Sequence, residues 1–272
     1  MNKLLTLFFS AIPLLLFSQQ QIKTKVYIEN KGREIYLFAD NDEWAPVSSK
    51  FDFKLQNLSS SLANHQIIVI PAKIKRFPVA QLVPIKPNDA TKFSYSNYFN
   101  IGNVLQENYD KDYIYDLPFE KGKTQLIYQG YHGKFSHQNE YALDFDLKIG
   151  DQIFAAREGI VVQVIDNFNQ KCANSSCAKY NNKIIIMHND GTFADYAHLK
   201  LNGSAVKEGD SVKKGQLIGY SGDTGFSSGP HLHFSVFINR IDGSRTFIPT
   251  KFRTLNNEAT ILVEGNSYSK NY

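Results

Sequence analysis

The protein has 272 residues, with 30 Lys and Arg against 26 Asp and Glu, a formal net charge of +4 and 42% hydrophobic residues. This length and composition are typical of a globular chain with material for two modest domains. The mild positive charge would favour docking on an anionic cell-wall or membrane surface. The chain lacks the dense basic tract of a nucleic-acid-binding protein, so we expect no nucleic-acid partner.

The first 18 residues predict a secretory signal peptide. Lys3 precedes an apolar run of fourteen residues, Leu4 to Phe17, and a glutamine-rich stretch follows. Such a run is shorter than the roughly 20 residues that a membrane-spanning helix needs. We therefore expect an exported protein, periplasmic or extracellular, with no stable membrane insertion after residues 1–18 are removed.

Residues 19–118 predict an all-β domain. Short alternating or β-branched runs recur along this part of the chain, and turn-forming stretches separate them. The clearest runs are Lys25–Ile28, Glu34–Phe38, Lys50–Leu55, Gln66–Ile70 and Lys92–Tyr95. A spacing of roughly 8 to 12 residues between such runs suits an immunoglobulin-like sandwich, although it leaves the strand order open.

The charged and aromatic stretch 108–118 predicts a connection between two domains. Its tyrosines Tyr113 and Tyr115 either pack between the domains or line a groove for substrate. We expect the second domain to cover residues 119–253 and a polar tail to follow over 254–272.

Within residues 119–253 the pattern predicts a small antiparallel β fold. Ile160–Ile165 and Lys183–Met187 are apolar on both faces, as central strands are. Helical periodicity is scarce in this part of the chain. The whole protein is therefore expected to be mostly β.

Asn189–Gly191 is a hairpin signal in this second domain. It would place Phe193–Leu199 antiparallel to Ile184–His188. Every second residue of the returning strand shares one face, so His198 would project from a rigid element. His188 is expected to make a structural hydrogen bond.

Two cysteines, Cys172 and Cys177, lie in a polar insertion between two predicted strands. Cysteines this close together in an exported chain are most simply joined by a loop-closing disulfide. A metal site there would need two further ligands, which the insertion does not supply. We therefore predict a disulfide.

The segment Gly219–Phe234 ends in two histidines, His231 and His233, before the alternating run Phe234–Ile238. Residues at i and i+2 of a strand point to the same side, so both imidazoles would lie on one face. A catalytic zinc site takes three His, Asp or Glu ligands and keeps one position for water. Upstream candidates for the remaining ligands and for catalysis are His137, Asp144 and His198.

At these residues the chain resembles the lysostaphin-like, LytM-type zinc metallopeptidases. The resemblance spans roughly Gln129 to Phe252 and rests on several pieces in the family's order. These pieces are Ser136–His137, Ala142–Phe145, Ala155–Val161, Tyr196–Leu199, Gly209–Gly219 and Gly229–Phe234. The resemblance implies a small antiparallel β peptidase domain, here preceded by the all-β domain.

Position by position, the resemblance implies that His137, Asp144 and His233 are the zinc ligands. Six residues separate His137 from Asp144, a longer interval than the family often shows. His132, five residues before His137, is therefore the alternative first ligand.

The resemblance also makes His198 and His231 the catalytic histidines that do not bind the metal, with their separate roles left open. Tyr131 resembles the family's tyrosine that steadies the oxyanion. Tyr128 and Tyr141 compete for that role.

The function implied by the resemblance is a zinc-dependent endopeptidase, associated with the cell wall, that hydrolyses peptidoglycan with a metal-activated water. Its partners would be the stem or cross-link peptides of peptidoglycan, and its cofactor would be Zn²⁺. Two alternatives stay open: an exported wall-binding module that regulates other murein hydrolases without catalysis, and a zinc peptidase that acts on proteins. The sequence indicates neither the scissile bond nor whether the N-terminal domain covers the site.

Overall fold

The computed structural model describes residues 22–255 and 258–272, and the predicted signal peptide lies outside them. Among the described residues the fold is almost entirely β. The N-terminal half forms strands β1 (Thr24–Lys31), β2 (Glu34–Asn41), β3 (Val47–Gln56), β4 (Leu58–Ser60), β5 (Ile67–Ile70), β6 (Phe77–Pro84) and β7 (Lys92–Ile101). These strands make two antiparallel sheets in the orders β1-β2-β6-β4 and β5-β3-β7.

The two N-terminal sheets pack face to face around an apolar core. Leu37 of β2 and Leu82 of β6 belong to one buried cluster with Phe51 of β3 and Ile70 of β5. Alternation along each strand supplies these inward side chains, as in a β-sandwich. In the second sheet β3 lies between β5 and β7, whereas the corresponding sheet of a constant-type immunoglobulin domain has the order C-F-G. The sandwich thus agrees with the sequence pattern, while its strand order differs from that domain.

The C-terminal half forms shorter strands and a 3₁₀ helix, Ser175–Tyr180. The strands are β8 (Ile114–Asp116), β9 (Thr124–Gln129), β10 (Ala142–Phe145), β11 (Gln152–Phe154), β12 (Gly159–Ile165), β13 (Lys171–Cys172), β14 (Lys183–Met187), β15 (Phe193–Ala197), β16 (Leu199–Ser204), β17 (Ser211–Val212), β18 (Leu217–Ser221), β19 (Gly225–Phe226), β20 (Leu232–Asn239), β21 (Arg245–Ile248), β22 (Lys251–Arg253), β23 (Glu258–Thr260) and β24 (Ser267–Ser269). No helix within the described residues has the length and apolar character to cross a membrane.

The central sheet of the C-terminal half runs β17-β12-β14-β15-β20-β10-β9-β24, with β21 also paired to β20. β14 and β15 are antiparallel and join through the turn at Asn189–Gly191, which confirms the predicted hairpin. Gly191 adopts a φ of +81°, a value that glycine reaches without steric cost. β20 lies between β15 and β10, so its residues have neighbours on both sides.

His198 is not part of the strand in which the alternation placed it. β15 ends at Ala197 and β16 begins at Leu199, so His198 occupies the break between them. Its φ of +65° is in the left-handed region, which turns the chain and redirects the side chain. The backbone N–H of His198 donates to Oδ1 of Asn181 at 2.9 Å. A non-local contact thus holds a backbone conformation that strand periodicity does not indicate.

The described residues of the segment 254–272, which was expected to be a polar tail, pack onto the C-terminal half. β24 pairs antiparallel with β9 at the edge of the central sheet. The buried Lys270 ammonium donates to the carbonyl oxygen of Leu117 at 2.9 Å, and the Tyr272 hydroxyl donates to that of Arg253 at 2.6 Å. These partners are distant in sequence, so the polar composition of the segment does not reveal them.

The tyrosines of the connection 108–118 pack against the C-terminal half and do not line a groove. Tyr115 is 4% exposed and lies in the core of the C-terminal half. The Arg157 guanidinium stacks over Tyr113 at 3.9 Å from the ring centroid. The predicted boundary at residue 118 stays a prediction, since chain before it already contributes to this core.

The two halves also share an apolar cluster. Ala45 of the N-terminal half packs with Val162, Ile185, Phe193 and Phe237 of the central sheet. All five are less than 8% exposed. Burial of apolar surface between the halves favours a fixed arrangement over independent motion.

Candidate metal centre

Asp144 and His233 lie opposite each other on neighbouring strands. β10 runs antiparallel to β20, and the register pairs Asp144 with His233. On the other side of β20, the register pairs His233 with Ala197, which directly precedes His198. Because directly opposite residues of antiparallel strands are close neighbours, the sheet itself brings these side chains to one place.

His137, Asp144 and His233 bring three ligand-type atoms together. Nε2 of His137 lies 3.1 Å from Nδ1 of His233 and 3.3 Å from Oδ1 of Asp144. Nδ1 of His233 lies 3.1 Å from the same carboxylate oxygen. Tetrahedral zinc, with bonds of roughly 2.0 to 2.1 Å, separates its ligand atoms by about 3.3 Å. The spacing and the two-nitrogen, one-oxygen donor set therefore fit a catalytic zinc ion.

A compact loop between β9 and β10 carries His137 into this group. The backbone N–H groups of Gly133 and His137 donate to the carbonyl oxygens of Gly130 and Gly133, each at 3.1 Å. Nδ1 of His137 lies 3.1 Å from the Gly130 carbonyl oxygen, so it donates there and leaves Nε2 free to bind a cation. His132 packs instead against the Tyr141 ring, 4.6 Å away between centroids.

Gln129 is a residue of this site that the sequence did not single out. Its side-chain amide donates to Oδ2 of Asp144 at 2.9 Å and to the Ser136 hydroxyl at 2.7 Å. It is buried on β9, directly opposite Asp144 in the register. This hydrogen bond leaves Oδ1 of Asp144 for the ligand group. A lone glutamine in a strand carries no motif, so only the strand pairing reveals it.

His198 and His231 have their tautomers set by backbone carbonyl groups. Nδ1 of His198 lies 2.6 Å from the Thr224 oxygen, and Nδ1 of His231 lies 2.7 Å from the Gly229 oxygen. A carbonyl oxygen can only accept, so each Nδ1 carries the proton and each Nε2 keeps a lone pair. The two ring centroids are 4.4 Å apart, and Nε2 of His231 lies 3.7 Å from Oδ1 of Asp144. Two basic nitrogens thus stand beside the ligand group.

Burial and charge set the protonation of the cluster. Burial lowers the pKa of His198 to about 3, and repulsion from His231 and His233 adds to this effect. Burial also lowers the pKa of His231, partly offset by attraction to Asp144. Burial acts to raise the pKa of Asp144, but the adjacent imidazoles of His137, His233 and His231 outweigh it and hold that pKa well below its usual range. For His233 burial is outweighed by the hydrogen bond and attraction from Asp144, which raise its pKa. The carboxylate is therefore ionised, as a metal ligand must be.

The three candidate tyrosines take different positions. The Tyr131 hydroxyl accepts from the backbone N–H of Thr250 at 2.8 Å and donates to its carbonyl oxygen at 3.1 Å. Tyr128 packs edge-on against His231, with 5.3 Å between ring centroids, and is 37% exposed. Tyr141 lies between Tyr131 and His132, in contact with both rings. Of these tyrosines, Tyr128 is the one in ring contact with a histidine of the site.

His188, for which a structural hydrogen bond was predicted, makes one. Its Nδ1 lies 2.8 Å from the Glu158 carbonyl oxygen, and its ring packs against Tyr115. The predicted disulfide between Cys172 and Cys177 is also confirmed. It closes the insertion beside the loop that carries Thr224 and Gly229.

The fold and this centre define a β-sheet protein with the side-chain set of a hydrolytic metalloenzyme. Residues 138–244 match the model of peptidase family M23. The resemblance to lysostaphin-like, LytM-type metallopeptidases is thereby confirmed. Asp144, His198, His231 and His233 fall inside the matched range, and His137 immediately precedes it.

Similar proteins include ones that are named as endopeptidases. The chain is 36% identical over 112 residues to lysostaphin of Staphylococcus simulans, which covers 41% of this chain and 21% of that protein. It is 36% identical over 116 residues to glycyl-glycine endopeptidase ALE-1 of Staphylococcus capitis, covering 42% and 29%. It is 29% identical over 171 residues to peptidoglycan DD-endopeptidase ShyB of Vibrio cholerae, covering 60% and 36%. The chain thus spans only about a fifth to a third of these curated relatives.

Among solved structures, the catalytic domain of lysostaphin from Staphylococcus simulans is 31% identical to this chain. It covers 46% of this chain and 87% of that domain, with a TM-score of 0.34.

Proposed function

We propose that the protein is a zinc-dependent endopeptidase that hydrolyses peptide cross-links of peptidoglycan. The observation that carries this proposal is the triangle of His137, Asp144 and His233 ligand atoms beside two imidazoles with free Nε2 lone pairs. The family match and the relatives that are named as endopeptidases support the same reaction.

His137, Asp144 and His233 would hold the zinc ion through Nε2, Oδ1 and Nδ1. When bound, Zn²⁺ would polarise the scissile carbonyl and lower the pKa of an attacking water toward about 7. Gln129 hydrogen-bonds to Asp144, and the Gly130 carbonyl oxygen hydrogen-bonds to His137, which fixes the orientation of these two ligands. Such partners keep the ligands oriented while substrate enters and leaves.

His198 and His231 would move the proton of the reaction. Water adds to the carbonyl carbon, and one imidazole accepts the water's proton at Nε2. The same proton is then delivered to the leaving amine as the C–N bond breaks. Burial favours the neutral imidazole in the resting protein, so a histidine is ready to act as the base.

Tyr128 is the tyrosine that we propose for the developing oxyanion. Burial, together with the nearby carboxylates of Asp144, Asp146 and Asp223, raises the pKa of its hydroxyl. The hydroxyl therefore stays protonated and can donate a hydrogen bond to negative charge. Tyr131, to which the sequence assigned this role, has its hydroxyl bonded to Thr250.

We further propose that the protein acts after export, at the cell wall, on stem or cross-link peptides. The apolar run Leu4–Phe17 after Lys3 supports export of the chain. The net charge of +4 would favour contact with an anionic wall.

The test is mass spectrometry of fragments that the purified protein releases from peptidoglycan. Wall with glycine bridges and wall with direct D-alanyl cross-links are used side by side, because the relatives' names include both kinds of endopeptidase. His233→Ala and a chelated sample run in parallel.

Zinc-dependent release of cleaved cross-link peptides from either wall would establish the reaction and identify the bond. Zinc binding without release would favour a protein substrate or a covered site. A protein that stays free of zinc after incubation with the metal, and releases nothing, would overturn the proposal in favour of a wall-binding module.

A further inference from the structure

The insertion between β12 and β14 contains a disulfide-closed segment that contacts His198 and the loop before His231. Residues 170–181 contain β13, the 3₁₀ helix and the Cys172–Cys177 bridge, with a separation of five residues between the cysteines. Most side chains of this segment are exposed, and Cys177 is its buried member at 8% exposure. Apolar burial therefore supplies little order to the insertion, which leaves the disulfide as its main internal constraint.

The first attachment is a short parallel ladder. β13 pairs with β19, matching Lys171 to Gly225 and Cys172 to Phe226. The backbone N–H of Gly225 donates to the Gln170 oxygen at 2.8 Å, and that of Ser227 donates to the Cys172 oxygen at 3.2 Å. The carbonyl oxygens of Gln170 and Cys172 thus bind the backbone of the loop 222–230.

That loop supplies the hydrogen-bond acceptors of both non-ligand histidines. The Thr224 carbonyl oxygen accepts a hydrogen bond from Nδ1 of His198, and the Gly229 carbonyl oxygen accepts one from Nδ1 of His231. The Ser227 hydroxyl oxygen lies 2.7 Å from the Gly229 oxygen. Thr224 directly precedes the β13–β19 ladder, and Ser227, which contacts Gly229, directly follows it. The ladder therefore positions the chain that carries both acceptors, the Thr224 and Gly229 oxygens.

The second attachment runs through Asn181, immediately after the 3₁₀ helix. Its Oδ1 accepts the backbone N–H of His198 at 2.9 Å, the residue whose φ is +65°. Gly225 packs so closely on Asn181 that an added Cβ would lie 2.8 Å from the Asn181 Cα. The insertion and the loop are therefore in close backbone contact at this point.

A third attachment is ionic. The Lys171 ammonium pairs with the buried Asp223 carboxylate, which also accepts from the Ser227 hydroxyl at 2.6 Å. The ion pair and the ladder come from the same two-residue strand. Insertion and loop are thus joined at three places.

We propose that the disulfide-closed insertion 170–181 is a positioning element for His198 and His231. It sets the direction of their Nε2 lone pairs through Thr224, Gly229 and Asn181, and the Cys172–Cys177 bridge keeps it in place. The inference rests on the proposed function for its kinetic consequence. The metal ligands are oriented by Gly130, which accepts from His137, and by Gln129, which donates to Asp144, so opening the bridge should disturb proton transfer and leave zinc binding intact.

The experiment compares the oxidised protein, the protein reduced by a dithiol, and the Cys172→Ala/Cys177→Ala variant, all with zinc added. In the reduction the disulfide takes up two electrons and two protons to give two thiols, and the dithiol becomes a cyclic disulfide. The double variant is the matched control, because a reductant that merely strips zinc would affect it as well. Assays run far below each protein's unfolding temperature.

We expect kcat on peptidoglycan fragments to fall about 10-fold or more in the reduced protein and in the double variant, with little change in KM and an unchanged zinc content. The double variant should not respond to the dithiol. Asn181→Ala, with the bridge intact, should lower kcat in the same sense.

Proton NMR reads the positioning without any turnover. The His198 Nδ1–H, hydrogen-bonded to the Thr224 oxygen and shielded from solvent, should give a slowly exchanging resonance in the oxidised protein that shifts or broadens on reduction. If that resonance and kcat both survive reduction unchanged, the inference is overturned. If the resonance responds while the oxidised protein cleaves no peptidoglycan, the proposed substrate fails and the positioning role stands.

Discussion

Gln129 donates its side-chain amide to Oδ2 of Asp144 at 2.9 Å, across the β9–β10 pairing. This bond directs the other carboxylate oxygen toward His137 and His233. The orientation of the proposed acidic ligand therefore depends on a neutral residue of the neighbouring strand. A metal site built in this way loses affinity when that neighbour is changed.

Gln129→Met should keep the volume of the side chain and remove the hydrogen bond. We expect zinc affinity to fall roughly 10- to 100-fold, as is typical when a partner of a metal ligand is lost. A competition titration with a zinc chelator measures it. Gln163→Met, the same substitution on β12, is the control and should bind zinc like the unaltered protein. Equal affinity of the two variants would contradict a role for Gln129 at the metal.

The choice between His137 and His132 can be settled by zinc content. His137→Ala should lose the metal, because its Nε2 is one corner of the ligand triangle. His132→Ala should retain about one zinc per chain, since its ring packs on Tyr141. Metal analysis after exhaustive dialysis distinguishes them, and the reverse result would move the first ligand to His132.

Zinc content should also distinguish the proposed ligand His233 from the proposed non-ligand His198. His233→Ala should lose both zinc and activity. His198→Ala should keep its zinc while kcat falls about 10²- to 10⁴-fold, the usual contribution of a general acid or base. Metal analysis and peptidoglycan cleavage are measured on the same samples. Loss of zinc from the His198 variant would show that its ring serves the metal rather than the proton.

Tyr128 and Tyr131 differ in what their hydroxyls do. Tyr131→Phe should lower the free energy of unfolding by about 1 to 3 kcal/mol, because the buried N–H of Thr250 loses its acceptor. Tyr128→Phe should leave stability nearly unchanged and lower kcat. Thermal unfolding and cleavage assays on both variants form the comparison. A fall in kcat confined to Tyr131→Phe would return the oxyanion role to Tyr131.

His188 should make stability depend on pH below neutrality. Burial lowers its pKa to about 4, the Arg157 charge adds to this, and the Glu158 carbonyl and the Asp190 and Glu158 charges oppose it. The folded state therefore favours neutral His188, whose contribution is complete above the unfolded pKa of about 6.5. As pH falls from there to about 4, the unfolded chain binds the proton first and stability drops.

His188→Gln should flatten this part of the stability curve. The measurement is the difference in unfolding free energy between pH 7 and pH 4.5 for both proteins, in chelator so that zinc release plays no part. The variant should lose less stability over this interval. Identical slopes would mean that the pKa of His188 is the same in the folded and the unfolded protein.

Local patterns in the sequence were enough for several parts of the structure. The i, i+2 spacing of His231 and His233, the turn at Asn189–Gly191 and the nearby cysteines each express short-range constraints. The motif order around Asp144 and His198 indicated the family. Side-chain alternation and turn residues act within a few positions, so they can be read along the chain.

The tertiary structure decided the rest. It placed His137 beside Asp144 and His233, placed Tyr128 beside His231, and paired Gln129 with Asp144. It also turned His198 at a left-handed residue held by a distant Asn181 side chain. These features depend on strand register and on contacts between segments far apart in sequence. Such contacts form only when the strands pair in one register around the core, and no periodicity along the chain encodes them.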